Sequence, residues 1–292
     1  MELLQLSMLA IKVSVLVLVF ALGLNATAAE ATYLFRHPRR LLRGFLALGV
    51  VVPVVAVAFA LLTNLPRPVE IAILAMAISP VPPILPAVQL KRGARSEYAY
   101  GILIAAALLS VITVPVAVLV IGALFGQQAS FPALAVAKIV GLSVLAPVGL
   151  GIAVRHFWTD GAERLAPWLT KAATVVLAVA LLPILVRAWP AMRGLMGTGT
   201  SVAVMAAVLM VAIAAGPLLG GPDREDRVAL AIAAAMRHPG VALALARTNA
   251  PDEPLVPAAI LTFFLMAVVL TSVYAAIRKR LTSSGRQLMC CL

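Results

Sequence analysis

The chain has 292 residues, 63% of them hydrophobic and 12% charged, with a mean hydropathy of +1.08. Soluble domains run at about 45–50% apolar and 25% charged, so a soluble fold is excluded and the lipid bilayer is the first partner implied. The net charge of +12 is spread over short loops between apolar runs, which excludes a basic nucleic-acid-binding domain.

About 20 apolar residues cross roughly 30 Å of hydrocarbon as a helix. Nine such runs are predicted: Leu3 to Asn25, Leu42 to Thr63, Val69 to Leu90, Tyr98 to Phe125, Pro132 to Val154, Ala166 to Val186, Thr200 to Leu219, Val228 to Thr248 and Pro254 to Ile277. Short connections make residues 1–292 one transmembrane domain. The first run imitates a secretory leader near Asn25, but Glu2 precedes it with no basic residue before Lys12, so it is read as a retained span. Lys12 falls near its middle.

The third and eighth runs are interrupted. Met76 to Pro86 reads MAISPVPPILP and Ala235 to Val241 reads AMRHPGV. Proline removes a backbone donor and clashes with the preceding turn, so both spans should break near the midplane, at Ser79, Pro80, Pro82 and Pro83 and at Pro239 and Gly240. In hydrocarbon such freed groups are tolerated only where protein or a wet cavity satisfies them, and paired breaks in corresponding halves point to a transporter binding site. Aligning Pro80 with Pro239 places the breaks five spans apart. An odd offset inverts the second copy, so spans one to four and six to nine read as inverted repeats around span five.

Charge sets the expected orientation. Arg36, Arg39, Arg40 and Arg43 follow span one; Lys91, Arg92 and Arg95 follow span three; Arg155 and Arg164 follow span five; Arg224 and Arg227 follow span seven; Arg278, Lys279, Arg280 and Arg286 lie in the tail. The opposite loops hold Arg67, Arg187, Arg193 and Arg247. The positive-inside rule puts the N-terminus outside and the C-terminus in the cytoplasm, in a plasma membrane that the Ala/Arg-rich composition suggests is bacterial and inner.

The midplane charges are positive: Lys12 in span one and Arg237 with His238 at the second break. An unpaired charge at depth costs at least about 2.5–3.5 kcal/mol, and no carboxylate lies near a midplane to offset it. Arg237 has two readings: satisfying carbonyls freed by the breaks, or engaging an anionic substrate. Half-helix N-termini after Pro83 and Pro239 add N–H donors toward the same point. His238 is read as a hydrogen-bond donor at the break. Asn25, Ser79, Gln89, Thr113 and Ser143 are candidates for polar lining. The spans hold no nucleophile–base pair, carboxylate pair or metal cluster, so neither an enzyme nor a bound cofactor is expected. Cys290 and Cys291 at the C-terminus form no disulfide framework or metal-binding spacing.

Gly23-Leu24, Arg36 to Gly44 (RHPRRLLRG), Val52-Pro53, the proline-rich third span with Lys91 to Ala94, and Met236 to Val241 (MRHPGV) resemble, in order and spacing, the bile acid:sodium symporter family. The resemblance implies an all-α polytopic fold of nine spans, lacking the extra first helix of ten-span relatives. It further implies inverted repeats, two crossing discontinuous helices, a core domain, a panel domain and alternating access between them. It also implies oxygen ligands for sodium around the crossover. The corresponding positions here are Ile84 and Leu85, Tyr98 and Ile102, Ala233 and Arg237, a poor set for a hard cation. The expected function is therefore sodium-independent uniport or exchange of a small organic anion, with Arg237, His238, Ser79 and Lys12 at the substrate and no metal ligands. The alternatives are a sodium- or proton-coupled symporter of the same family and a receptor-like descendant that no longer translocates. A homo-oligomer is compatible with each.

Overall fold

The computed structural model describes the backbone of residues 2–197 and 199–290, and side chains of residues 5–197 and 199–278. The tail residues Lys279, Arg280, Arg286, Cys290 and Cys291 lie outside the described side chains. Every element among the described residues is helical. Among the described residues, eight helical segments are long and apolar enough to cross a membrane, the second broken span, Arg224–Asn249, being one of them. The third predicted span is present as two shorter helices, because its break leaves neither half long enough to cross alone.

In chain order, α1 (Glu2–Asn25) leads through the short helices α2 (Ala28–Ala31) and α3 (Tyr33–Arg36) into α4 (Pro38–Phe45). A π-helical stretch, Leu46–Val51, joins α4 to α5 (Val52–Leu62). Its cause is Pro53. With no N–H at that position the ladder slips, and the Val52 N–H bonds back to the Ala47 carbonyl, five residues away. The first broken span is α6 (Arg67–Ile78) and α7 (Leu85–Leu90), followed by α8 (Ser96–Leu124). A second π-helical stretch, Gly141–Leu145, lies between α9 (Ala133–Val140) and α10 (Ala146–Phe157), and again precedes a proline, Pro147. Then come α11 (Thr159–Met196), α12 (Gly199–Leu219), the second broken span as α13 (Arg224–Ala235) and α14 (Pro239–Asn249), and α15 (Val256–Cys290).

Two sets of helices are distinguishable. α1 packs on α10 and α11. The α1–α10 crossing is built on Gly23 and Gly151: a Cβ on Gly151 would lie 2.4 Å from the Phe20 carbonyl oxygen, and one on Gly23 2.4 Å from that of Val148. Without lipid-excluding water to drive helices together, such backbone-close contacts supply the dispersion that holds them. The second set wraps the broken spans, with α12 on α13, α15 on α6, and α5 on both α6 and α12. Gly216 plays the same part there, its absent Cβ leaving room for Ala231.

The outward faces are apolar, with Leu142, Val186 and Leu218 largely exposed, as a lipid-facing surface requires. On α11, exposed Trp168 and Trp189 are separated by about 30 Å at 1.5 Å per residue. That equals the hydrocarbon thickness, the separation expected of residues in two interfacial aromatic belts. The 38-residue helix projects beyond both.

The packing of the broken spans defines their sense. α6, the first half of one, packs on α14, the second half of the other, and α7 packs on α13. The two spans therefore run antiparallel and cross at their breaks, as inverted repeats dictate.

Candidate functional site

The crossover is sewn together by backbone groups that each break strands. At the first break, the Ser79 carbonyl would normally accept from residue 82 or 83, but both are proline and neither has an N–H. The next carbonyl, on Pro80, accepts instead from the His238 N–H of the other span at 2.8 Å. That diverts His238 from its helical partner, the Ala234 carbonyl. In the π-helical stretch of the second span, the Leu48 carbonyl is left over in the same way: Val52 is spent on Ala47, and the next residue is Pro53. Three carbonyls from three segments are thus orphaned near one point.

Arg237 occupies that point. Its Nη1 donates to the Ser79 oxygen at 3.0 Å, its Nη2 to Leu48 at 2.7 Å and its Nε to Ala234 at 3.2 Å. The residue is 3% exposed. Hydrogen bonds to charged groups contribute about 1.5–3 kcal/mol each, so three of them match or exceed an insertion cost of about 2.5–3.5 kcal/mol. The cation is therefore stable without a carboxylate partner. A guanidinium carries five N–H groups; two are not used by these carbonyls.

His238 donates its backbone N–H to Pro80 at the break, and its ring is an acceptor toward the start of α14. Its Nδ1 receives the N–H groups of Gly240 at 3.1 Å and Val241 at 3.3 Å, capping α14. Backbone N–H groups can only donate, so the ring proton lies on Nε2, which is buried without a partner. Gly240 permits this cap, because a Cβ there would approach His238 Cε1 to 3.0 Å. The donors expected to point from the start of α14 toward a substrate are consequently taken up by the protein.

Beside Arg237 lies a small cavity of about 50 Å³, walled by the second span, α8 and the first break. Ser79, Pro80 and Arg237 line it, with Ser110 and Thr113 from α8 and otherwise apolar side chains. The hydroxyls of Ser79 and Ser110 donate back to Ala75 and Ala107 of their own helices, so toward the cavity they offer lone pairs only. Pro82 and Pro83 are buried behind it. Lys12 is not brought to it; it is exposed on α1. Asn25 and Ser143 also bond back within their helices.

A second polar cluster closes the end of the molecule that carries the basic loops, and sequence reasoning missed it. Asp226, 1% exposed, accepts from Arg40 Nη1 at 3.0 Å, and Asp223 accepts from Arg40 Nη2 at 2.8 Å and lies 3.6 Å from Arg95 Nη1. Arg40 also donates to the Tyr33 hydroxyl. Burial works against the charge of Arg95, but the surrounding Tyr33, Asp226, Glu97 and Asp223 more than compensate and raise its pKa. Gln89 is fully buried and its Nε2 donates to the Ala229 carbonyl at 2.7 Å, tying α7 to α13. The available signal was acidic residues in the first turn of α13, where a helix N-terminus favours them.

Two antiparallel discontinuous helices, hydrogen-bonded through their breaks beside a cavity and enclosed by lipid-facing helices, define a polytopic transporter of the inverted-repeat kind. The sequence profile of the Sodium Bile acid symporter family matches residues 12–192, and the chain belongs to that family. It is a membrane transporter of the bile acid/sodium symporter type, from a family of transporters rather than enzymes. The match takes in the first break and ends before the second. No curated protein matches the chain.

Proposed function

We propose that this protein moves a small organic anion across the membrane by alternating access, as a sodium-independent uniporter or exchanger. The observation that carries this reading is the Arg237 guanidinium, fixed at the crossover and lining the cavity. Its two remaining N–H groups suit a carboxylate, while the largely apolar walls disfavour a polyhydroxylated solute. Sodium needs several oxygen ligands. The carbonyls freed at the crossover are already engaged by Arg237, and Ile84, Leu85 and Ala233 offer no side-chain oxygen. Ser79, His238 and the prolines shape the site. The excess of Lys and Arg in alternate loops supports an outside N-terminus and a cytoplasmic C-terminus in a bacterial inner membrane.

The test is uptake of radiolabelled organic acids into proteoliposomes, with sodium, proton and internal-anion gradients varied independently. Uptake without sodium, accelerated by internal anion, is the expected result. Strict sodium dependence would overturn the coupling. Absence of uptake for every acid would favour the receptor-like descendant.

A further inference from the structure

Alternating access, as proposed above, requires the contacts that tie the two helix sets together to part at each end in turn. At the end that carries the basic loops, such contacts gather around one side chain, Tyr100. It lies near the start of α8, which packs on α7 and α13 and so belongs with the broken spans. Tyr100 is 2% exposed. It forms a small apolar cluster with Leu22 of α1 and Ala26 just after that helix, backed by Ile152 of α10 and by Ala87 and Leu90 of α7. Leu22, Ala26 and Ile152 belong to the α1–α10 set, and Tyr100, Ala87 and Leu90 to the other.

The chain passes from one set to the other at the same point. α2 and α3 lie along α8, and Gly101, next to Tyr100, makes room for Leu34 of α3, whose Cγ would lie 3.0 Å from a Cβ there. This connection is therefore fixed to the second set, and the joint between the sets falls at Ala26 and Thr27, beside the Tyr100 ring.

The Tyr100 hydroxyl is buried and has no hydrogen-bond partner among the described residues. The charged groups that act on it are Glu30 and Arg155, and each is engaged elsewhere. Glu30 accepts from the Thr27 N–H and hydroxyl at 2.7 and 2.9 Å. Arg155 donates to the Leu24 carbonyl at 3.1 Å and to Glu163 at 3.4 Å. Tyr100 is thus held by its ring and penalised at its tip, since a buried hydroxyl without a partner forfeits the bonds it makes in water. Such a contact closes without locking.

We infer that the Tyr100 ring is a releasable latch between the two helix sets at the basic-loop end, and that its withdrawal from the slot between Leu22, Ala26 and Ile152 opens that end to solute. This rests on the transport reading and deepens it, by naming a contact that breaks in each cycle. The ring supplies the apolar area that holds the sets together. The orphaned hydroxyl regains hydrogen bonds to water as it leaves, which offsets part of the cost of separation.

The test needs no knowledge of the substrate. In the full chain with Cys290→Ser and Cys291→Ser, Ala87→Cys places a thiol in the cluster on the α7 side. Its labelling rate by a membrane-impermeant methanethiosulfonate sulfonate is measured from the basic-loop side in sealed vesicles. Adding Tyr100→Phe removes the orphaned hydroxyl and keeps the ring, so it should slow labelling severalfold and raise the melting temperature. Adding Tyr100→Leu removes the ring, so it should speed labelling severalfold and lower the melting temperature, which also confirms that each variant is folded. The opposite signs separate a latch from general loosening of the interface. A thiol that is never labelled, or any other pair of signs, overturns the proposal. Labelling that follows both expected signs without uptake of any acid would overturn the transport reading alone; uptake with labelling indifferent to position 100 would overturn the latch alone.

Discussion

At the first break the backbone offers acceptors, the carbonyls of Ser79 and Pro80, whereas the second offers donors, the His238 N–H and the Arg237 guanidinium. Prolines at 80, 82 and 83 remove N–H groups from one side. A basic residue and a single proline leave donors on the other. Neither break could sit in hydrocarbon alone, since each unsatisfied group costs several kcal/mol there. Crossed, they satisfy one another, and the π-helical stretch of the neighbouring span contributes a third acceptor to the same guanidinium. Two copies of one inverted motif have thus diverged into complementary halves, and the cation binding them also faces the cavity.

The strongest way to break this complementarity is Arg237→Ala. It leaves three buried carbonyls without donors, each costing about 1–3 kcal/mol, and it removes the charge from the cavity. Specific uptake should be abolished while the protein still inserts, with a marked fall in thermal stability; normal uptake by that variant would sink the role assigned to Arg237. The comparison can be widened to the Arg40 cluster, which pairs charges rather than backbone groups. Arg40→Ala strands the buried Asp226 carboxylate, a loss expected at the lower end of about 3–5 kcal/mol because Arg40 keeps 27% exposure. Adding Asp226→Asn should recover much of it in a thermal melt, and failure to recover would mean that Arg40 acts mainly through Asp223 or Tyr33.

Smaller effects sharpen the contrast with the α1–α10 pair, where packing rather than hydrogen bonding holds the helices. Gly151→Ala forces a methyl group into the Phe20 carbonyl and should cost about 1–3 kcal/mol, lowering the melting temperature without altering which acids compete for uptake. The smallest is at the α14 cap. His238→Ala should cost about 1 kcal/mol, and His238→Asn should restore most of it, since asparagine is among the best capping residues. If asparagine rescues stability but not uptake, the Nε2 proton has a role beyond the cap.

Much of the architecture was legible because the bilayer imposes it. Runs of apolar residues give spans, prolines within them give breaks, and the odd offset between Pro80 and Pro239 gives their antiparallel sense. The site was legible in part. Arg237 was identifiable as a cation at depth, and carbonyl satisfaction was one of its two readings, but the Leu48 carbonyl was not foreseeable, because a proline-induced π-helical turn releases an acceptor without interrupting the apolar pattern. His238 was placed at the break, but its acceptor role toward α14 was not foreseeable: sequence cannot say which ring nitrogen meets the start of that helix. Lys12 was grouped with Arg237 by depth alone, and depth says nothing about which face of a helix turns toward a cavity. Asp226 escaped notice because its partner, Arg40, lies on α4, far from it in sequence.

What the sequence alone determined was a membrane protein with two broken spans of opposite sense and a positive crossover, because hydropathy, missing N–H groups and charge are local properties of the chain. Tertiary structure decided which orphaned carbonyls meet which donors and that α14's first turn is capped rather than open, because those depend on how segments come within about 3 Å of one another.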